Sequence, residues 1–278
     1  MKKFLSFLWK LLLILGGIII LALGGIEMLK QKIGEGDEAV DSIAEMHKND
    51  WVDLGLPSGL LWANENVGGT TTEDSVYLFA WGDISCRAGA FRWTTYRFTE
   101  GDHERYMPNN LTSQYASEPW DYGVLTKYCT KPECGKNGLA DNLTTLQPED
   151  DAATVGWGKG ARIPTVAEWQ ELKDHTTAKW TTRDGVAGML FTGSNGNIIF
   201  LPASGWSNDG WYDGFGEEGR YWASQLGNAP IYNSELEVIM DTTYSAMFFT
   251  CVPDHFSAIS NLPRYYGLAV RAVRSPEK

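Results

Sequence analysis

RIPTVAEW, residues 162–169, carries the strongest structural signal in this sequence. Thr165 and Glu168 stand three residues apart, so the hydroxyl can accept a hydrogen bond from the third helical N–H while the carboxylate accepts one from the threonine N–H. Pro164 closes off any preceding helix, because its ring clashes with the turn before it and it lacks an N–H. The stretch therefore predicts a helix that begins at Thr165.

The residues around this cap predict two neighbouring helices. Three apolar side chains at helical spacing share a face that we expect in the core: Val166, Trp169 and Leu172. The capped helix should extend over about residues 165–176. Upstream, Pro148 to Asp151 places a proline and three acids in a first turn, and Gly156 is a stop, which predicts a two-turn helix. We expect these acids to be solvated and not catalytic.

Strands should dominate the rest of the domain. The apolar and aromatic runs are short, and glycine, proline or asparagine separates them. The Asn-Gly pair at 195–196 lies between two apolar runs, which is a strong hairpin signal. The predicted strand segments are 51–68 with its turns, 77–83, 91–98, 188–193, 197–202, 219–225, 246–251 and 266–274.

Composition favours one acidic, loop-rich domain over residues 51–278. The chain has 278 residues, 43% of them apolar, with 30 glycines, 12 tryptophans and 12 tyrosines, so aromatic side chains supply much of the packing area. The net charge is −12 for the whole chain and −16 beyond residue 33. A field of this sign repels phosphate backbones, so we expect no nucleic-acid partner.

Residues 1–32 predict a membrane segment. Leu11 to Ile26 are all apolar or glycine, and Leu11 to Leu29 gives 19 residues with one acid, near the roughly 20 that span a bilayer. A single-pass anchor would hold the domain outside the cytoplasm in the cell envelope, raised on the acidic linker 33–50. The alternative is a signal peptide cleaved at Ala22-Leu23-Gly24, which would give a secreted protein.

The four cysteines permit disulfides in an oxidising compartment. Cys86, Cys129, Cys134 and Cys251 can pair in three ways. We favour a bond between Cys129 and Cys134, because the loop between them is short and costs little to close. A zinc site is a weaker interpretation, because the tighter C-x-x-C spacing and further nearby ligands are missing.

Ordered pieces of the chain resemble one family across residues 51–274. The pieces are WVDLGLPSGLLWA, YLFAWGD, PEDDAA, RIPTVAEW, IIFLPASGW, RYWASQ and RYYGLAVRAVR. They are similar to the Fibrobacter succinogenes major paralogous domain family and its Bacteroidetes relatives, and RIPTVAEW also resembles a signature of formylglycine-generating sulfatase modifiers. The resemblance implies an α+β, C-type-lectin-like fold in which the N- and C-terminal strands pair and two helices flank a twisted antiparallel core.

Residues 205–222 are the stretch most typical of a binding site. Four aromatic side chains are suited to stacking on sugar rings or apolar groups: Trp206, Trp211, Tyr212 and Tyr221. The polar residues that accompany them offer oxygen ligands for calcium: Asn208, Asp209, Asp213, Glu217 and Glu218. EF-hand spacing and the E-P-N and W-N-D motifs of sugar-binding lectins are missing, so we assign no metal and keep calcium as an alternative. The plainer interpretation is a glycine-rich loop packed by its own aromatics.

The resemblance adds a second candidate region, residues 243–266. Lectin-like folds place ligands on loops of their second half, and the retroelement-diversified variable proteins among the relatives mutate C-terminal loop residues. The region here holds polar and aromatic groups typical of an adaptable contact surface: Asp254, His255, Ser257, Asn261, Arg264 and Tyr265. An ordinary loop is the alternative.

Motifs for catalysis are missing from the sequence. The four histidines are scattered, and neither H-E-x-x-H nor G-x-S-x-G occurs. Gly214 to Gly219 matches G-x-G-x-x-G only formally, because two carboxylates stand where a pyrophosphate would bind. Formylglycine-generating enzymes bind copper through two nearby late cysteines, whereas Cys251 stands alone. We expect Arg162 and Arg271 to form structural ion pairs.

Three functional hypotheses follow from these observations. The first is a non-enzymatic, membrane-tethered recognition module that binds a protein or glycan through loops of its second half. The second is an enzyme or accessory factor of the sulfatase-modifier type. The third is a structural protein of the cell envelope with no specific ligand.

Overall fold

A computed structural model of the protein describes residues 51–69, 76–86, 91–100, 123–158, 160–229, 231–232, 238–240, 242–253 and 258–276. The expected membrane segment 1–32 and acidic linker 33–50 lie outside these stretches. Across the residues that the structure describes, no helix combines the length and apolarity needed to cross a membrane.

The described chain is rich in strands and has few helices, which confirms the α+β class. The strands are β1 (Trp51–Asp53), β2 (Leu61–Asn66), β3 (Thr99–Glu100), β4 (Val124–Leu125), β5 (Thr177–Arg183), β6 (Val186–Thr192), β7 (Ile198–Pro202), β8 (Ser204–Asn208), β9 (Trp211–Phe215), β10 (Gly219–Leu226), β11 (Ile231–Tyr232), β12 (Val238–Met240), β13 (Ser245–Cys251), β14 (Ala258–Pro263) and β15 (Arg271–Arg274). The α-helices in the described part are α1 (Ala152–Trp157) and α2 (Val166–His175). Single 3-10 turns lie at Trp93–Thr95, Pro132–Cys134, Lys136–Gly138, Pro148–Asp150 and Thr242–Tyr244.

The two ends of the described domain meet in one small sheet. Its strand order is β1-β2-β15, and both pairings are antiparallel, with Val52 opposite Trp62 and Val273 opposite Trp62 on the other side. Strand β2 therefore lies between the first and the last described strands. The indole of Trp62 is fully buried and packs against Trp169 of α2, so this sheet closes one side of the core.

A three-stranded antiparallel sheet, β5-β6-β7, follows α2 in the chain. Strands β6 and β7 confirm the predicted hairpin, and their turn contains the expected Asn-Gly pair. Gly196 has a φ of +84°, a conformation that costs glycine little because it lacks a Cβ. The turn also contacts the N-terminal region, since the amides of Asn195 and Asn197 each donate to the Asp53 carbonyl over 2.8 Å.

The largest sheet has five strands in the order β14-β13-β10-β8-β9. Strand β8 meets β10 in parallel at one point, and the other neighbours are antiparallel. Strands β10 and β13 confirm the predictions for residues 219–225 and 246–251. Both are buried along almost their whole length because α2 packs on them, with Trp169 stacked on Phe249 at 4.4 Å between ring centroids.

Helix α2 confirms the capped helix that the sequence predicts. The backbone N–H of Glu168 donates to the Thr165 hydroxyl over 3.3 Å, and the Thr165 N–H donates to the Glu168 carboxylate over 2.8 Å. Arg162 also donates to that carboxylate over 2.7 Å, which confirms it as a structural ion-pair former. Burial alone raises the pKa of Glu168, but these bonds outweigh it and lower the pKa below the usual value.

The prediction for residues 148–155 is wrong in detail. Pro148–Asp150 forms a 3-10 turn, and α1 begins only after Asp151, whose side chain accepts from the N–H groups of Ala153 and Thr154. The same carboxylate accepts from Ile163 N–H, so a long-range contact fixes the cap. The helix ends at Gly158, with a φ of +87°, and passes through Gly156.

Three of the predicted strand segments are mostly wrong. Residues 77–83 make a single bridge, at Phe79, residues 91–98 include a 3-10 turn, and only 271–274 of the segment 266–274 is strand. The aromatic side chains in these loops pack into the core. Trp81, for example, is fully buried, and its indole N–H donates to the Ala223 carbonyl over 2.9 Å. Strand-like composition here reflects burial and not sheet pairing, because both environments select aromatics.

Arg271 does not form the predicted ion pair. It is almost completely buried, and its guanidinium donates to Asn66 Oδ1 over 3.0 Å, to the Ala63 carbonyl over 2.8 Å and to the Phe200 carbonyl over 2.8 Å. Burial lowers its pKa to about 10. A single side chain of β15 thus joins β2 to β7, which belong to different sheets.

Replacing Arg271 with lysine should destabilise the fold. A lysine cannot reach three separated acceptors with a planar fork, so buried carbonyl oxygens would lose their partners, at about 1–3 kcal/mol each. We expect Arg271→Lys to lower the free energy of unfolding in urea by about 3 kcal/mol or more. The exposed Arg183→Lys control should change it by less than about 0.5 kcal/mol. Equal losses of stability in the two variants would contradict the role of Arg271 in joining β2 to β7.

Asp151 should give stability a measurable dependence on pH. Burial raises its pKa from 3.8 to about 6, although the three backbone N–H bonds and Arg162 oppose the rise. The folded state then binds the proton more tightly than the unfolded state, so this contribution is full below pH 4 and is lost as the pH rises through 6. The difference in free energy of unfolding between wild type and Asp151→Asn should fall by roughly 2–3 kcal/mol between pH 4 and 7. A constant difference over that range would contradict the assignment.

Candidate binding surface

Strands β8 and β9 form a hairpin that we call the aromatic hairpin, residues 204–215. Asn208 pairs with Trp211 at its end, and the two residues between them, Asp209 and Gly210, have φ values of +48° and +85°. Two central residues with positive φ make the tight turn that suits the twist of antiparallel strands. The region is therefore a regular hairpin and not an irregular loop. An Asp-Gly pair between aromatic runs is the signal that predicts it.

Two aromatic side chains of β9 are exposed. Trp211 is 77% exposed and Tyr212 is 44% exposed, and few other large apolar side chains in the described chain exceed a third. The Tyr212 hydroxyl donates to the Ser204 carbonyl over 2.7 Å, and partial burial raises its pKa. Trp211 lies on the outer strand of the five-stranded sheet, opposite Asn208, and presents most of its indole to solvent.

A stack of aromatic and charged groups supports this hairpin from below. The rings of Trp206 and Tyr266 lie nearly parallel, 5.6 Å between centroids, and the Arg220 guanidinium lies 4.6 Å from the Trp206 ring. Glu218 accepts from the Trp206 indole N–H and from Arg220 Nε, each over 2.9 Å. These contacts hold Trp206 in place. Strand β8 therefore supports its neighbour β9, the edge strand that carries Trp211.

Asn208 ties the hairpin to the C-terminal region. Its amide nitrogen donates to the Tyr266 hydroxyl over 2.9 Å, and its side chain is half-buried. Ser207 and Gly267 exchange backbone hydrogen bonds of 2.9 and 2.8 Å beside it. The structure thus brings together Trp206, Asn208, Trp211 and Tyr212 from the predicted set. It adds Tyr266 and Arg220, to which the sequence assigns no binding role, and Glu218, which the sequence offers only as a calcium ligand.

The predicted contact of Tyr221 with a ligand is wrong. Its ring is fully buried, its hydroxyl donates to the Pro202 carbonyl over 2.6 Å, and burial raises its pKa. The residue lies in β10, in the interior of the five-stranded sheet, where both faces are covered. The sequence places Tyr221 next to exposed residues, but the strand order removes it from the surface.

Arg264 and Tyr265 are also buried and do not form a contact surface. Arg264 donates to the Tyr128 carbonyl over 3.1 Å and lies over the rings of Trp81 and Tyr96. Tyr265 is only 8% exposed and packs on Trp93 at 4.9 Å between ring centroids. Because these side chains fill the core below the hairpin, their role is structural.

The remaining residues predicted from the region 243–266 divide into two groups. Asn261 is half-buried in β14, and its amide donates to the Ala229 carbonyl over 3.0 Å, so it is engaged within the fold. Asp254, His255 and Ser257 lie outside the described residues. Their contribution to binding stays a prediction.

The acids near the hairpin do not converge on a calcium position. Asp209 forms an ion pair with Arg92, Glu218 forms one with Arg220, and Asp213 accepts from the neighbouring Gly214 N–H over 2.8 Å. In the described parts of the chain, no three histidine, cysteine or acidic side chains are arranged so that they could hold a metal ion. The calcium alternative therefore has no geometric support from these residues.

Asp150 is the centre of a polar cluster that the sequence interpretation missed. It was expected to be solvated, yet it is 1% exposed and bonds Arg97 over 2.8 Å, Lys127 over 2.5 Å and the Tyr128 hydroxyl over 2.7 Å. Burial alone lowers the pKa of Lys127, but its bonds to Asp150 and Glu149 raise the pKa above the usual value. The Asp150 carboxylate thus joins residues 97, 127 and 128 to the turn that precedes α1.

No disulfide joins the four cysteines, all of which lie in described stretches, so the predicted Cys129–Cys134 bond is not formed. Cys129 donates its S–H to the Lys131 carbonyl over 3.0 Å, and burial raises its pKa. Burial also raises the pKa of Cys251 to about 12. A thiol with such a pKa is protonated at neutral pH and is a poor nucleophile.

A cleft of about 270 Å³ opens between β2, the β5–β6 turn and β7. Asn64 and Arg183 lie on its rim, and Arg271 lies at its base. The Arg271 guanidinium is buried and its donors are engaged by three oxygen acceptors of the fold, so little of it is open to a ligand. The cleft therefore offers less to a ligand than the exposed aromatic hairpin.

Comparison with protein-family models, curated proteins and solved structures finds no match for this chain. The hairpin geometry and the sequence motifs therefore carry the functional argument.

Trp206 and Trp211 should differ sharply in their effect on stability. Trp206→Ala removes a ring stack, an Arg220 contact and a hydrogen bond to Glu218, so we expect a loss of about 2 kcal/mol or more in the free energy of unfolding. Trp211→Ala removes a side chain that is mostly in water, and we expect a change below about 0.5 kcal/mol. Urea unfolding of both variants measures this. A large loss for Trp211→Ala would show that the indole is part of the packing.

Proposed function

We propose that this chain is a non-enzymatic, membrane-tethered recognition module that presents a C-type-lectin-like domain outside the cytoplasm. The observation that carries the proposal is the exposed indole of Trp211 on a hairpin with a firmly held base. A large exposed apolar side chain loses contact with water when a ligand covers it, which stabilises the complex. The ligand is a protein or a glycan.

Two features support the C-type-lectin-like fold. The first and last described strands lie in one sheet on either side of β2, as expected if the chain ends meet. Two helices, α1 and α2, pack against a largely antiparallel core. Both features agree with the topology that the motif resemblance implies.

The membrane tether and the location rest on the sequence. Leu11 to Leu29 has the length and apolarity of a single span, and the acidic linker 33–50 separates it from the domain. A domain held in this way outside the cytoplasm would meet its ligand at the cell envelope. Cleavage of the segment would instead release the same module as a secreted protein.

The chemistry of the hairpin favours recognition over reaction. Asp209 of the hairpin pairs with Arg92, the supporting Glu218 pairs with Arg220, and Cys251 is a buried thiol. An exposed tryptophan and tyrosine with held polar neighbours can stack on a sugar ring or on an apolar side chain without any group that transfers protons.

The test is binding by the detergent-solubilised full chain to arrays of oligosaccharides and of extracellular protein domains. We expect Trp211→Ala to weaken the strongest interaction at least about 10-fold, as for a central aromatic contact. Ile198→Ala removes another exposed apolar side chain, in β7, and should leave the affinity within about 2-fold.

Equal binding by wild type and Trp211→Ala would contradict the role of the hairpin. Copper-dependent oxidation of a cysteine peptide by the protein would favour the sulfatase-modifier alternative. An absence of binding on both arrays would favour a structural protein of the envelope.

A further inference from the structure

The free edge of β5 is a second surface with its own chemistry. Strand β5 is the outer strand of the sheet β5-β6-β7, and all seven of its residues, Thr177–Arg183, pair with β6 in an unbroken register. None of the described backbone groups pairs with its opposite side. An unbroken edge of seven residues can pair with another extended chain.

The turn at the end of β5 determines which backbone groups face outward. Asp184 and Gly185 have φ values of +51° and +83°, so the hairpin has a two-residue turn and Arg183 and Val186 form a hydrogen-bonded pair. Hydrogen-bonded and non-hydrogen-bonded pairs alternate along an antiparallel ladder. The outward N–H and C=O groups therefore belong to Ala178, Trp180 and Thr182.

The side chains of this edge are basic in an otherwise acidic domain. Lys179 and Arg183 lie on the same face of β5 and are exposed, and the strand contains no acid. Lys179 has no ion-pair partner among the residues described. Arg183 is 3.9 Å from Asp184, and both side chains are more than half exposed, so this pair contributes little.

We propose that the free edge of β5 binds an extended acidic segment of a partner protein, which adds a fourth strand to the sheet. The outward groups of Ala178, Trp180 and Thr182 would form the backbone hydrogen bonds, and Lys179 and Arg183 would pair with carboxylates of the segment. This surface lies in a different sheet from the aromatic hairpin, so it stands independently of the function proposed above.

A second copy of the chain is a poorer partner for this edge. Antiparallel pairing of β5 with itself about Trp180 would bring Lys179 and Arg183 of both copies into one small area. Like charges so close repel each other across a sheet. Basic residues on an edge strand therefore disfavour self-pairing while they attract an acidic chain.

The test begins with random nine-residue peptides displayed on a surface and selected on the full chain. We expect enrichment of aspartate, glutamate and β-branched residues. The enriched peptides, labelled with fluorescein, should bind at least about 10-fold more weakly to Lys179→Glu/Arg183→Glu, which reverses exposed charges and leaves the packing intact. Enrichment of neutral or basic peptides, or no enrichment above background, would overturn the proposal.

Proline variants test the backbone pairing separately from charge. Ala178→Pro and Thr182→Pro each remove an outward N–H but leave the ladder to β6 intact, so both should reduce binding at least about 10-fold with little change in melting temperature. Ala178→Thr keeps the N–H and is the matched control, with an affinity within about 2-fold of wild type. Peptide binding that survives both proline substitutions would rule out strand addition.

Hydrogen exchange locates the bound peptide. In the free protein the amides of Ala178, Trp180 and Thr182 should exchange at least about 10-fold faster than those of Lys179 and Thr181, which donate to β6. The selected peptide should protect the fast set. Protection confined to the aromatic hairpin would overturn the proposal, as would a dimer in sedimentation that Ala178→Pro dissociates, because that dimer would identify a second copy as the occupant.

Discussion

The buried guanidinium of Arg271 is the interaction on which the arrangement of the sheets depends. It comes from the last described strand and bonds the Ala63 and Asn66 oxygens of β2 and the Phe200 carbonyl of β7. A buried cation is costly unless all its donors find acceptors, so the two sheets must approach in one relative position. Strand β15 thus fixes how β2 and β7 pack against each other.

Other buried polar groups repeat this pattern around the core. Asp151 caps α1 and also accepts from Ile163 N–H, while Asp150 gathers Arg97, Lys127 and Tyr128. Each of these carboxylates links segments that are distant in the chain. Much of the described fold consists of loops and short strands, and such contacts give those loops one defined position.

The aromatic side chains of the described domain divide into a buried set, which packs the core, and an exposed set on β9. Trp62, Trp81, Trp169 and Trp222 are fully buried, and Trp206 is held between Tyr266 and Arg220. Trp211 differs because β9 has a neighbour on one side only, and its first three residues are exposed. The basic edge of β5 is another position where the fold ends without a neighbour. Both surfaces lie on edge strands, β9 and β5, which have a neighbouring strand on one side only.

The sequence alone predicts those local structures whose interacting residues lie close together in the chain. The cap of Thr165 and Glu168 and the Asn195-Gly196 turn depend on residues within a few positions of each other, and the sequence determined both. Burial was decided only by the tertiary structure. Tyr221 and Trp211 stand ten residues apart in one aromatic stretch, yet β10 is covered on both faces and β9 forms an edge. Strand order sets that difference, and strand order arises from contacts between distant segments that no local pattern encodes.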